Sequence, residues 1–312
     1  MFSKMQKRIF NSVFYVVLVF VLLISAISFG VTAVNLSRSQ RQRTEANADN
    51  AVKSVEAYVS AVMGFVEQTS LQTGIIDAVD GINISEASRL LDALCNYGVK
   101  IDGATLYGES GYMAYSFSMG APPTFRDLLA IDDVAQFYYG DEQTYVSMRK
   151  SAIANIYNSF YYSPNRGVIS VMHKVYGNDE TLKGLLVADV LPDTIYSTKL
   201  DYTSFGVKCN AFLATDNLLS LDETFINYYN AGGSGLTKDS KYFVASAQTL
   251  YGYNVVLFAP QYKFVGRLFI MAGVLVGIDA LLIVLGAVFA RYVARSVIEP
   301  LDRLHNRMTN EA

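Results

Sequence analysis

Tryptophan is absent from this sequence, and 312 residues contain only two cysteines, two histidines and six prolines. Cys95 and Cys209 are too few for a disulfide framework, so free, buried thiols are expected. No CxxC pair or Cys/His cluster offers zinc spacing, and no metal or other cofactor is expected. His173 stands alone in a strand-like run, where a core or surface position outweighs a metal ligand. Gly-x-Ser-x-Gly and His-Glu-x-x-His are both missing, which leaves an extracellular enzyme without a recognisable nucleophile or metal motif. A surplus of one charge is lacking too. The 25 Lys and Arg against 28 Asp and Glu give a formal net charge of −3, so nucleic-acid binding has no electrostatic support.

Apolar length is what the chain does have. The segment 268–290 reads LFIMAGVLVGIDALLIVLGAVFA, with Asp279 its one charge. A bilayer core about 30 Å thick takes about 20 such residues as helix. A second run, Ile9 to Val34, follows Lys4, Lys7 and Arg8. A signal peptide also opens on basic residues, but this run outlasts an ordinary h-region, and an uncleaved anchor is expected. The basic residues at both ends, including Arg291 and Arg295, place both termini in the cytoplasm and residues 35–263 outside the cell. Arg38, Arg41 and Arg43 count against that orientation, although long loops translocate largely regardless of charge. The expected location is the plasma membrane, crossed twice.

A charge at mid-bilayer costs at least about 2.5 kcal/mol on insertion scales. Asp279 is therefore expected to be protonated, partnered, or both, and Ser25 of the first run lies at similar depth. Gly273 and Gly277 form a small-xxx-small face that permits close helix approach. With Asp279 they are expected to set helix contacts in a dimeric bundle, the alternative being a chance spacing. Beyond the second span, Val297, Leu301, Leu304 and Met308 follow a four-three-four rhythm, the seam of a coiled coil. Pro300 suits a first helical turn, where its missing N–H costs nothing.

Between the spans the pattern is mixed. Ala48, Val52, Val55, Val59, Val62, Val66 and Thr69 form one helical stripe, and Tyr58 and Phe65 a second. Packing on its own domain and a dimer seam are both open to such a helix. After Gly81 a short amphipathic helix is expected, capped by Ser85, with Leu90, Leu91 and Leu94 inward and Gly98 at its end. The period then shortens to two. Val99–Tyr107 and Tyr112–Ser118 read as a hairpin, Thr124–Tyr139 as irregular or helical, and Tyr145–Met148 as a short strand. Gly167–Tyr176 and Lys183–Val190 read as a second hairpin. Beyond Pro192 come a strand at Gly206–Ala214, a helix at Leu221–Tyr229, and a hairpin of Tyr242–Thr249 with Asn254–Phe258, broken by Pro260. A long helix followed by antiparallel strands with helical insertions is an α+β pattern.

Two resemblances sharpen this. Val297-Ile298-Glu299-Pro300-Leu301, with Leu304 and Met308, resembles the first helix of a HAMP linker, the relay of bacterial transmembrane receptors. That resemblance implies a connector, a second helix and a cytoplasmic output module beyond Ala312: a histidine kinase, a nucleotide (diguanylate) cyclase or a chemotaxis signalling rod. The order of elements over roughly residues 45–262, with FYYSPNRGVISVMHKVYGNDETLKGLLVADVLPDTI at 160–195 and KYFVASAQTLYGYNVVLFAP at 241–260, resembles the double Cache family of extracellular sensors. The chain is then divided into a cytoplasmic N-terminus (1–8), a first span (9–34), a long extracellular helix (35–80), a membrane-distal Cache module (81–195), a membrane-proximal one (196–262), a second span (264–293) and a truncated HAMP helix (294–312). Such domains bind small molecules, often amino acids or other carboxylates, in the distal module.

The resemblance also implies a ligand set. Arg149, after Tyr145, matches the carboxylate-binding arginine. Tyr161 or Tyr162 matches the tyrosine, and Asp189 the aspartate that meets the amino group. The sequence departs from the family at the Trp-Tyr pair, since Lys150, Ser151 and Ala152 follow Arg149. Arg149 offers a planar fork for a carboxylate. Solvated charge, turn cap and ordinary core are the competing roles for Arg149, Asp189 and the tyrosines. A homodimeric membrane sensor of a small molecule is the leading expectation. A ligand-independent, membrane-anchored dimerisation or adaptor protein is the alternative.

Overall fold

The computed structural model of this chain describes residues 4–96, 98–108, 111–117, 124–150, 167–192, 194–195, 202–204, 207–214, 234–237 and 239–310. They fall into two compact units, Met1–Arg41 with Tyr262–Ala312, and Gln42–Gln261. The expected helix at Leu221–Tyr229 lies outside the described residues.

The larger unit is built on the second half of α1 (Lys4–Ser70). Ala48, Val52, Val55, Val59, Val62 and Val66 are at most 8% exposed, and Tyr58 is buried beside them. The Tyr58 hydroxyl donates to the Lys100 carbonyl, and Phe65 packs on the same core. Both stripes therefore face the domain of their own chain, and the valine stripe is not available as a dimer seam. The reason is volume: a helix flanked by a broad sheet buries its widest apolar face against it. The helix also stops short of the expected residue 80. Thr69 and Ser70 turn their hydroxyls back onto the Phe65 and Glu67 carbonyls, and Gln72 takes an extended conformation (φ −76°, ψ 139°). The chain restarts as α2 (Thr73–Val79) and then α3 (Ile84–Asn96). Ser85 is not the cap of α3. It lies inside the helix, and its hydroxyl donates to Asn83 Oδ1 at 2.8 Å. Leu91 and Leu94 are buried as expected, Leu90 half so. Gly98 sits at φ +86° against the Phe65 ring, a backbone conformation and a contact that both favour glycine.

Two strands follow, β1 (Gly103–Gly108) and β2 (Gly111–Phe117), so the first strand starts four residues later than its apolar run suggests. Thr124–Tyr139 resolves into two helices, α4 (Phe125–Leu129) and α5 (Asp132–Tyr139), and the Thr124 side chain accepts from the Asp127 N–H at 3.2 Å as a cap. Strands β3 (Thr144–Lys150), β4 (Gly167–Tyr176) and β5 (Leu182–Val190) complete an antiparallel sheet in the order β2-β1-β5-β4-β3. Its two faces have separate cores. Leu186, Ala188 and Val190 face α1, while Leu185 and Val187 face α4 and α5.

The remainder of this unit is smaller. A ribbon of β6 (Thr203–Ser204) and β7 (Val207–Lys208) precedes β8 (Asn210–Ala214), β9 (Gly235–Leu236), β10 (Tyr242–Gln248) and β11 (Asn254–Pro260), which order as β8-β11-β10-β9. The expected strand 206–214 is thus interrupted at Cys209. Pro260 pairs with Tyr242 as the last strand residue rather than breaking the hairpin earlier. The hairpin turn rests on α1, with the Leu250 N–H donating to Glu56 Oε1 at 2.7 Å. Both cysteines are free, Cys209 buried and Cys95 half-buried.

The second unit pairs the first part of α1 with α6 (Tyr262–Asn310). Both helices contain stretches long and apolar enough to cross a membrane. Ser25 Oγ donates to Asp279 Oδ1 at 2.5 Å, so the carboxylate finds its partner in its own chain. The close approach expected at Gly273 and Gly277 is found elsewhere. Neither has anything within 4 Å of an added Cβ, whereas one on Gly286 would lie 2.6 Å from Val17 Cγ1. Pro300 sits inside the continuous helix α6, not in a first turn.

Candidate functional site

The face of the five-stranded sheet turned away from α1 carries the chemistry. At one end it is closed by α4 and α5, where Tyr107, Phe125, Leu128, Val134, Phe137, Met172, Leu185 and Val187 form a compact core. Tyr107 stacks on Phe125, which meets Tyr138 edge-on at 5.3 Å. Moving away from that core, side chains on this face become polar. The register pairs Ser147 with Ser170, Ser170 with Asp189, and Asp189 with Gly103. Paired residues in an antiparallel sheet share a face, so these four form one row across β3, β4, β5 and β1. Ser147 is 8%, Ser170 0% and Asp189 2% exposed. A carboxylate that deep needs hydrogen bonds to be tolerated. Ser170 Oγ donates one to Asp189 Oδ1 at 2.5 Å. Gly103, at the matching position of β1, adds no side chain to the row.

Asp102, just before β1, holds the end of this row. Its N–H donates to the Asp189 carbonyl at 3.0 Å. Its own carboxylate accepts from the Leu191 N–H at 2.8 Å and from the Thr194 hydroxyl at 2.7 and 2.9 Å. Burial raises its pKa above the ordinary 3.8. The Leu191 and Thr194 hydrogen bonds and Lys100, 3.9 Å away, work against that rise. Nearby, burial pushes the Cys95 thiol up to about 11, which makes it a poor nucleophile.

Of the residues singled out in the sequence, Asp189 lies in the buried row. Tyr145 shares its sheet face, two positions along β3 from Ser147, and is stacked on Phe137 at 5.3 Å. There it borders a cavity of about 460 Å³ with Asp133, Gln136, Asp141 and Glu142. Burial raises the Tyr145 pKa, and the Asp133 and Glu142 carboxylates add to it. Arg149 pairs with Val168 in the β3–β4 register, four positions along β3 from Tyr145. Tyr161 and Tyr162 lie outside the described residues. Sequence reasoning missed Ser147, Ser170 and Asp102. Their one signal was a serine interrupting the apolar run Val168-Ile169-Ser170-Val171-Met172. His173 belongs to the opposite face of the sheet. It is 8% exposed, Thr144 Oγ1 is 2.7 Å from its Nδ1, and burial lowers its pKa. Among the described residues no group of His, Cys, Asp or Glu is placed to hold a metal.

The arrangement can neutralise a cationic group at Asp189, with hydroxyls beside it to accept further hydrogen bonds. No protein-family model and no curated protein matches the sequence. Solved structures do match. The ligand-binding domain of the Pseudomonas fluorescens chemoreceptor CtaA, solved with L-isoleucine, is 12% identical, covers 77% of this chain and 98% of its own, and superposes with a TM-score of 0.50. The periplasmic sensory domain of the Campylobacter jejuni chemoreceptor Tlp1 is 11% identical over 73% of this chain and 97% of its own, with a TM-score of 0.49. The ligand-binding domain of the C. jejuni chemoreceptor Tlp3 with L-norvaline is 14% identical over 72% and 92%, with a TM-score of 0.48. The chain thus has the fold of a chemoreceptor ligand-binding domain, the Cache-like combination of a long helix and antiparallel sheets that its sequence resembles.

Proposed function

We propose that this chain is a transmembrane sensor. Residues 35–263 lie outside the cell and bind a small molecule, an amino acid or another carboxylate. The ligand sits on the sheet face that carries Asp189, which neutralises its ammonium. Arg149 takes its carboxylate, and Tyr145, Tyr161 and Tyr162 supply flat walls. Two chains work as a homodimer, and the helix that includes Val297 and Met308 passes the bound state to a cytoplasmic output module. A ligand of this kind acts by binding one packing of the receptor better than another. The observation that carries the reading is a carboxylate buried in a row of hydroxyls, in a fold shared with an amino-acid-binding chemoreceptor domain. The L-isoleucine bound by the CtaA domain supplies the ligand class.

The adaptor reading draws on one contact. Ser170 already satisfies an oxygen of Asp189, which suits a closed face with no ligand. A thermal-shift screen of residues 36–262 against amino acids, organic acids and polyamines separates the two. The sensor reading predicts a specific hit that Asp189→Ala and Arg149→Ala abolish. A panel without any specific hit, on a folded domain, favours the adaptor.

A further inference from the structure

Within the helix pair of α1 and α6 two contacts set the approach of the helices. Ser25 Oγ donates to Asp279 Oδ1 at 2.5 Å, between residues 254 apart in sequence. Gly286, two turns further along α6, lies where any Cβ would meet Val17 Cγ1 at 2.6 Å and Val17 Cβ at 3.5 Å. Real Cβ atoms do not approach so closely to a methyl, so the two helices touch there because Gly286 has no side chain. Hydrocarbon offers a carboxyl group no water, and an ionisable side chain at mid-bilayer is costly without a partner. Helix rise is 1.5 Å per residue, so a slide of one turn carries Asp279 about 5 Å from Ser25. The same slide replaces the flat surface at Gly286 by a bulkier neighbour.

We propose that Ser25, Asp279 and Gly286 form a latch within one chain, which holds its two membrane helices in a single register. Movement of α6 along or around α1 must break the hydrogen bond and the close contact together. The latch therefore makes the register of the second helix discrete rather than continuously variable. This rests on the reading of both helices as membrane spans. It differs from a dimeric contact because the partners of Asp279 and Gly286 belong to the same polypeptide.

The geometry supplies its own probe. Disulfides bridge Cβ atoms about 3.5–4.5 Å apart, and the Val17–Gly286 distance of 3.5 Å meets that condition. Replacing Val17 by cysteine also removes the methyl that the new Cβ at 286 would strike. The full chain carrying Val17→Cys and Gly286→Cys is oxidised in native membranes and cleaved within the outer unit. Samples taken before and after cleavage are then run without reductant. The latch predicts the mass of one chain in both, with the fragments staying linked after cleavage. Asp279→Leu in that background lowers the yield several-fold. Ser25→Ala, which keeps the carboxyl and removes its donor, also lowers it should Asp279→Leu fail to insert. A product at the mass of two chains, or a yield unchanged by both substitutions, overturns the latch and leaves the sensor reading standing. Release of the chain from the membranes by alkaline carbonate overturns the membrane reading itself, and the latch with it.

Discussion

At the scale of single residues, Asp189 is the position the sequence points to most directly, through the Gly184–Asp189 stretch and its resemblance to the sensory family. What the sequence hides is its company. Ser170 and Ser147 come beside it only through strand register, which no local pattern in β3 or β4 specifies. Asp102 is hidden for a related reason: its carboxylate caps the turn at Leu191–Thr194, which is distant in sequence. That cap has a pH signature. The folded pKa of Asp102 lies above the ordinary 3.8 because burial disfavours its charge. The stability contributed by protonated Asp102 is full below 3.8 and is lost as pH rises through the folded value. Chemical denaturation of residues 42–261 at stepped pH is expected to show the stability difference between the native chain and Asp102→Asn growing as pH falls through that window. A difference that is flat with pH would place the Asp102 carboxyl in an ordinary solvated state.

Among the elements, the clearest lesson is α1. The four-three rhythm from Ala48 to Thr69 predicts a helix with one wide apolar face, and the helix is there. Period alone does not say what covers that face, because a sheet and a partner helix accept the same side chains. The structure answers with burial inside one chain. Val62 is fully buried, so Val62→Ala is expected to cost on the order of 2 kcal/mol. It should lower the melting temperature of the isolated outer unit by an amount independent of protein concentration. A shift that depends on concentration would move the stripe to an interface between chains. The sheet makes a second demand. A Cβ at Gly184 would lie 2.3 Å from the Tyr107 carbonyl and 2.9 Å from Val79 Cγ1, both against rigid neighbours. Gly184→Ala should destabilise the unit by about 1–3 kcal/mol, measured by the same denaturation. The glycine in Gly184-Leu185-Leu186-Val187-Ala188-Asp189 was readable as part of a family pattern, but its reason, backbone contact with β1, is tertiary.

For the molecule as a whole, what was legible was the apolar length at each end and the change of period between them. Those features suffice for two long helices around an α+β unit, and the structure has that order. Helix partners were less legible. The depth count brought Ser25 level with Asp279, which the hydrogen bond matches, yet the glycine spacing pointed to Gly273 and Gly277 while the close approach is at Gly286. Small-residue spacing marks where two helices can meet, not where they do.

The central claim is that the unit holding Asp189 faces the outside while both ends of the chain remain in the cytoplasm. Introduced cysteines test it most directly, because native Cys209 is buried and the Cys95 thiol is held largely protonated. Tyr139 is 78% exposed, and Tyr139→Cys should react with a membrane-impermeant maleimide on intact cells. Lys7→Cys and Arg295→Cys, at exposed positions near either end, should react only after the cells are opened. Labelling of Lys7→Cys or Arg295→Cys on intact cells, or protection of Tyr139→Cys until lysis, would contradict the account.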